Sequence, residues 1–87
     1  MIINGMDIEL ITRNITTVTG TAEQGTVTVT GDFNYRVNSV NGNEVCSPVV
    51  LISGFGQGRT EADAIGNLAL RCINDVAAVF RDMYSNS

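Results

Sequence analysis

Few residues in this 87-residue chain are equipped for chemistry, and the best placed of them cluster at Gly54-x-Gly56-x-Gly58-Arg59-Thr60. The spacing puts three glycines at the end of an apolar run and directly before a helical pattern. Free amides at a helix N-terminus attract anions, and glycines let a phosphate approach the backbone. Arg59 adds a group able to hold a phosphate oxygen pair. Gly56, Gly58, Arg59 and Thr60 are therefore the candidate ligand-binding residues. Three features count against a nucleotide site. The third glycine of the dinucleotide fingerprint falls at Arg59, and no later strand completes a βαβ unit. Glu61 and Asp63 also occupy the positive end of the helix dipole. The structural alternative is that the glycines serve a sharp exit from an edge strand.

Other chemistry lacks its parts. The chain has no His and no Lys, so Cys46 and Cys72 have neither an imidazole base nor an ammonium neighbour to activate a thiolate. The carboxylates show no spacing that suggests an acid/base couple or a metal cage. No enzyme activity, cofactor or metal is expected. Both cysteines read as reduced core residues. The net charge of −4 makes nucleic acid an unlikely partner, because that affinity comes from neutralised phosphates. No apolar run is long enough to cross a membrane as a helix, and the start lacks the pattern of a signal peptide. A cytoplasmic location is the expectation.

These residues must be positioned by one small α+β domain over 1–87: a three-stranded antiparallel β-meander with one C-terminal α-helix packed on one face. Strands are expected at about 6–18, 26–40 and 44–53, and a helix at about 60–84. In the first strand Met6, Ile8 and Leu10 alternate with Asp7 and Glu9, but Ile11 and Ile15 sit on the opposite parity. A bulge near Ile11, or burial on both faces, would account for the slip. Gly20 to Gly25 reads as a hairpin loop. In the second strand Val27, Val29, Phe33, Tyr35 and Val37 share one face, with Gly31 interrupting the row.

Asn41-Gly42 is the strongest turn signal, since a type I′ turn needs φ > 0 at both central positions. A two-residue loop there pairs Val40 with Asn43. It then sets Val37 opposite Cys46, Tyr35 opposite Pro48, Phe33 opposite Val50 and Gly31 opposite Ile52. Pro48 cannot donate to a ladder and marks the third strand as an edge.

The helix opens with a capping-box variant, Thr60-Glu61-Ala62-Asp63. At 100° per residue the apolar face centres on Ile65, Ala69, Cys72, Val76, Val79, Phe80 and Met83. Leu68 lies on one flank, with Ala62, Ile73, Ala77 and Tyr84 on the other. This face is broader than a sheet of three strands needs. Together with the small size of the domain, that width predicts a homodimer, with Leu68, Ile73, Ala77, Phe80 and Tyr84 as the candidate interface. Residues 85–87 are expected to be a frayed end.

The run from Gly56 to Leu68 resembles the strand exit and helix start of HicB-type antitoxin domains, which carry a G-x-T-x-x-E-A-like pattern after a three-stranded sheet. It is also similar to the C-terminal third of double-stranded RNA-binding domains. In the RNA-binding family lysines fill the first helical turn, whereas here Glu61, Ala62 and Asp63 stand there, so RNA is disfavoured. The antitoxin resemblance implies a protein that folds against a toxin and dimerises. The expected function is a homodimeric, non-enzymatic inhibitor of another protein, of antitoxin or phage anti-defence type. Alternatives are a nucleotide-binding sponge using Gly56, Gly58 and Arg59, and a structural subunit of a larger assembly.

Overall fold

The computed structural model describes residues 1–85 and shows an α+β domain with an antiparallel, curled sheet and one C-terminal helix. The strands are β1 (Ile2–Ile3), β2 (Met6–Thr21), β3 (Thr26–Val40), β4 (Asn43–Glu44) and β5 (Val50–Gly58), and the helix is α1 (Glu61–Tyr84). The end expected to fray at Asn86 and Ser87 lies outside the described residues.

The sheet thus has two short strands beyond the expected three. One comes from a turn that sequence reading passed over. Asn4 and Gly5 have φ of 52° and 79°, nearly the values of Asn41 and Gly42 at 50° and 82°. The same dipeptide makes the same kind of turn twice. The first folds β1 back onto β2, pairing Ile3 with Met6. The two turns meet, because the Asn41 N–H donates to the Gly5 carbonyl at 2.8 Å.

β2 and β3 form one long hairpin that spans most of the molecule's 49 Å axis. Its register shifts beside Ile8, at Ile11 and at Thr16. The shift at Ile11 is the bulge that the parity slip required. The bulges keep the apolar residues of β2 on one face. Ile8 opposes Val37, Leu10 opposes Tyr35, Ile15 opposes Gly31 and Val18 opposes Val29. Each bulge also adds local twist, which curls the sheet.

β5 pairs with β3 two residues out of the expected register: Tyr35 faces Val50, Phe33 faces Ile52 and Gly31 faces Gly54. The Asn41-Gly42 turn starts the pairing as expected, with Val40 opposite Asn43. The Val45 N–H still donates to the Asn38 carbonyl at 3.1 Å, and residues 46–49 then leave the ladder. Pro48 has no N–H to offer, and Ser47 substitutes a side chain, its Oγ accepting the Val37 N–H at 2.7 Å. An even shift leaves side-chain faces unchanged, so the face assignment survives the register error. Cys46 sits in this excursion and is exposed, which corrects its expected place in the core; Cys72 is fully buried.

One sheet face is apolar and carries α1. The core comprises Met6 and Ile8 of β2, the row Val27, Val29, Phe33, Tyr35 and Val37 of β3, and the helix stripe Ala64, Leu68, Cys72, Val76 and Phe80. The other face is a polar ladder. Asn34 Nδ2 donates to Thr12 Oγ1 at 2.8 Å, Ser53 Oγ to Asp32 Oδ1 at 2.7 Å and Gln57 Nε2 to Thr28 Oγ1 at 3.1 Å. Arg36 and Asn38 both donate to Glu9 Oε1, at 3.2 and 2.9 Å. These donors hold the Glu9 carboxyl below the usual carboxylate range, Asn38 contributing most.

The helix face differs from the flat-wheel expectation. Leu68, Ala77 and Phe80, expected at an interface, are buried in the single copy, while Val79 and Met83, expected at the centre, are exposed. The buried stripe advances by steps of four residues, and each step rotates it by about 40°. A helix lying on a twisted sheet follows that drift, whereas a wheel averages it away.

Candidate functional site

The glycine motif does a different job from the one its composition suggested. Gly54, Gly56 and Gly58 lie in β5, not in a turn, and alternate onto the face beneath α1. A Cβ on Gly56 would meet the Ala64 carbonyl oxygen and lie 2.5 Å from the Leu68 amide nitrogen. A Cβ on Gly58 would lie 2.7 Å from Asp63 Cβ and 2.8 Å from the Ala64 nitrogen. Helix backbone therefore lies against the side of both glycines where a side chain would stand. The bare strand brings the first turns of α1 into backbone contact with the sheet. Leu68 fills the resulting slot, its Cδ2 and Cδ1 lying 3.3 and 3.6 Å from where Gly31 and Gly54 would carry a Cβ. Leu68 moves from flank to centre because the glycines lower the floor on its side.

The remaining candidates of that motif are Arg59 and Thr60. Arg59 is exposed on the connection between β5 and α1. Thr60 is the N-cap, with its side chain accepting the Asp63 N–H at 3.2 Å. The neighbouring Ala64 N–H is taken by the Thr60 carbonyl at 3.0 Å. Asn67 Nδ2 donates to the Gln57 carbonyl at 2.6 Å and ties the helix to the strand it left. Thr60→Ala should cost about 1 kcal/mol of stability, read as a lower urea midpoint with an unchanged slope.

Of the expected interface residues, Ile73 and Tyr84 remain half-buried on the helix flank. Ile73 stands with Ala69 and Leu70 above the start of β2, and between them opens a cleft of about 670 Å³. Ile8 and Leu10 form its strand wall, and Phe33 and Tyr35 form its floor, their rings stacked with centroids 6.2 Å apart. Sequence reading did not pick out this cleft. Its one signal was Tyr35, the only hydroxyl in the apolar row of β3.

The other uncovered surface is the long strand. Among the described residues, the outer edge of β2 pairs only with β1, at Met6 and Asp7, and the Ile8 amide donates to the Met1 carbonyl. From Glu9 to Thr21 that edge has no strand beside it. Its helix-side apolar row is also uncovered beyond Ile8, with Leu10 at 46% and Val18 at 47% exposure. On the opposite sheet face, Leu51 and Phe55 stand out among polar neighbours, and the Arg71 guanidinium lies 4.8 Å over the Phe55 ring.

Comparison with protein-family models, with curated proteins and with solved structures finds no match for this chain.

Proposed function

We propose that this chain is a non-enzymatic binding protein that works as a homodimer and inhibits another protein. The observation that carries the dimer is the open edge of β2 from Glu9 to Thr21, with Leu10, Ile15 and Val18 beside it. Proteins usually guard such edges with Lys, Pro or cover, because unpaired amides and carbonyls recruit another strand. Here Arg13 is the only charge between Leu10 and Thr21, and there is no Lys or Pro. Beyond the bulges at Ile11 and Thr16, the run from Thr17 to Thr21 keeps an unbroken register with β3. A second β2 supplies an extended partner of the right length, and antiparallel pairing of identical strands closes on a two-fold axis. It also covers apolar area that an 87-residue fold is poorly able to leave in water.

The target-binding surface is the opposite face, where Leu51 and Phe55 project from the polar ladder. An apolar pair with an Arg stacked on it, ringed by hydroxyls and amides, has the make-up of a protein-binding hot spot. The antitoxin-like reading rests on this arrangement and on the run Gly56 to Leu68.

Light scattering at about 100 µM should give a dimer mass, and Ile15→Lys/Val18→Lys should reduce it to a monomer that keeps its helical circular dichroism. A monomeric wild type, or a dimer indifferent to both lysines, sinks the dimer. Leu51→Ser/Phe55→Ser should remain dimeric yet lose a partner that wild-type bait retains; a partner equally retained by both baits sinks the target surface.

A further inference from the structure

We infer that the cleft between α1 and the start of β2 is a binding site for a neutral, largely apolar small molecule carrying a carbonyl or hydroxyl oxygen. This goes beyond the protein-binding role and uses a different surface from the Leu51–Phe55 face.

Tyr35 carries the inference. The residue is 2% exposed, and its hydroxyl makes no hydrogen bond to any described residue. Yet among the described residues no fully enclosed side-chain oxygen or nitrogen lacks a partner. The hydroxyl is therefore not sealed from open space, and Tyr35 is one of the residues that line the cleft. An apolar chamber with one unanswered hydroxyl in its floor is a common design for small-ligand sites, and about 670 Å³ falls in their size range. Burial pushes the phenol up to about 12, with the neighbouring Cys72 thiol adding to the shift, so the hydroxyl stays protonated and donates. A ligand oxygen that accepts from it, or a ligand hydroxyl that donates to it, would satisfy it.

The rim argues for neutrality. Its two carboxylates are already matched within the chain: Glu9 by Arg36 at 3.1 Å, and Asp7 by the Met1 amino group at 3.5 Å. Among the described lining residues no cation is left over for an anionic ligand, and a cationic one would displace an existing pair. The walls supply Ile8 and Leu10 on one side and Leu70 and Ile73 on the other, which favours an aromatic or branched body.

The neutral ketone fluorophore prodan is a suitable probe, and the anionic naphthalene sulfonate ANS a control. Prodan emission should shift to the blue and saturate at one site per chain, with ANS binding at least tenfold more weakly. Tyr35→Phe should weaken prodan roughly fivefold without lowering the melting temperature, because the lost hydroxyl satisfied nothing in the protein. Leu70→Glu, at an exposed position that the fold does not need, should abolish binding. Three results would each overturn the site: no saturable prodan binding, binding indifferent to both substitutions, or ANS binding as well as prodan. The mass of each sample is read in parallel. If Leu70→Glu abolishes the dimer and no probe binds, the cleft is a contact between copies. If probe binding persists in Ile15→Lys/Val18→Lys monomers, the ligand site stands even where the dimer fails.

Discussion

Gly56→Ala is expected to undock the helix, lowering stability by about 3 kcal/mol and the melting temperature by roughly 15 °C. The added methyl would overlap the Ala64 carbonyl and sit 2.5 and 2.9 Å from the Leu68 nitrogen and Cα. These are main-chain atoms of a packed helix and cannot swing aside as a long side chain does. The strand is equally constrained, since Gly56 pairs with Val29 of the central strand. Against a total stability of roughly 5–13 kcal/mol for a chain of this size, the loss is large. Two comparisons isolate the cause. Arg59→Ala, next to the motif but exposed, should change stability by less than about 0.5 kcal/mol. Gly66→Ala should stabilise by up to about 1 kcal/mol, because Gly66 lies mid-helix with nothing near its missing Cβ. Thermal melts of the three variants at one protein concentration decide the matter. If Gly56→Ala melts with Arg59→Ala, the glycines are not what seats the helix.

Phe80→Ala should cost about 3–5 kcal/mol, the range for removing a buried aromatic and leaving a cavity. Phe80 is fully buried at the C-terminal end of the helix stripe, whereas the adjacent Val79 is 40% exposed. Val79→Ala should therefore cost less than about 1 kcal/mol. A helical wheel places both residues at the centre of the apolar face and predicts similar losses. Urea denaturation of the pair separates the two readings: comparable losses would mean the buried stripe does not drift along α1.

Much of the frame was legible because it depends on neighbours in sequence. The alternation from Val27 to Val37 defined the central strand and its buried face, and period two needs no tertiary information. Thr60 and Asp63 marked the helix start, and the cap bond is there. The parity slip at Ile11 announced its bulge. The last strand lies two residues from the expected register because loop length and facing apolar rows are both blind to an even shift. Ser47 and Pro48 both permit a departure from the ladder, but nothing local says that residues 46–49 take it. The overlooked Asn4-Gly5 turn was legible; only the brevity of what precedes it concealed β1.

The candidate sites divide the same way. Residue type alone determined that the chain carries no imidazole and no lysine amine, that one strand face is hydrophobic, and that the final segment is a capped amphipathic helix. Tertiary structure decided what the glycines are for, because a glycine's role depends on what comes within 3 Å of it, and here that is the helix at Asp63, Ala64 and Leu68. It decided which helix residues face inward, since a twisted sheet selects a drifting stripe that a regular wheel cannot show. It also decided that Tyr35 opens onto a cleft and that β2 keeps a bare edge. Both depend on where α1 stops covering the sheet, a property of packing between distant segments rather than of either segment's own pattern.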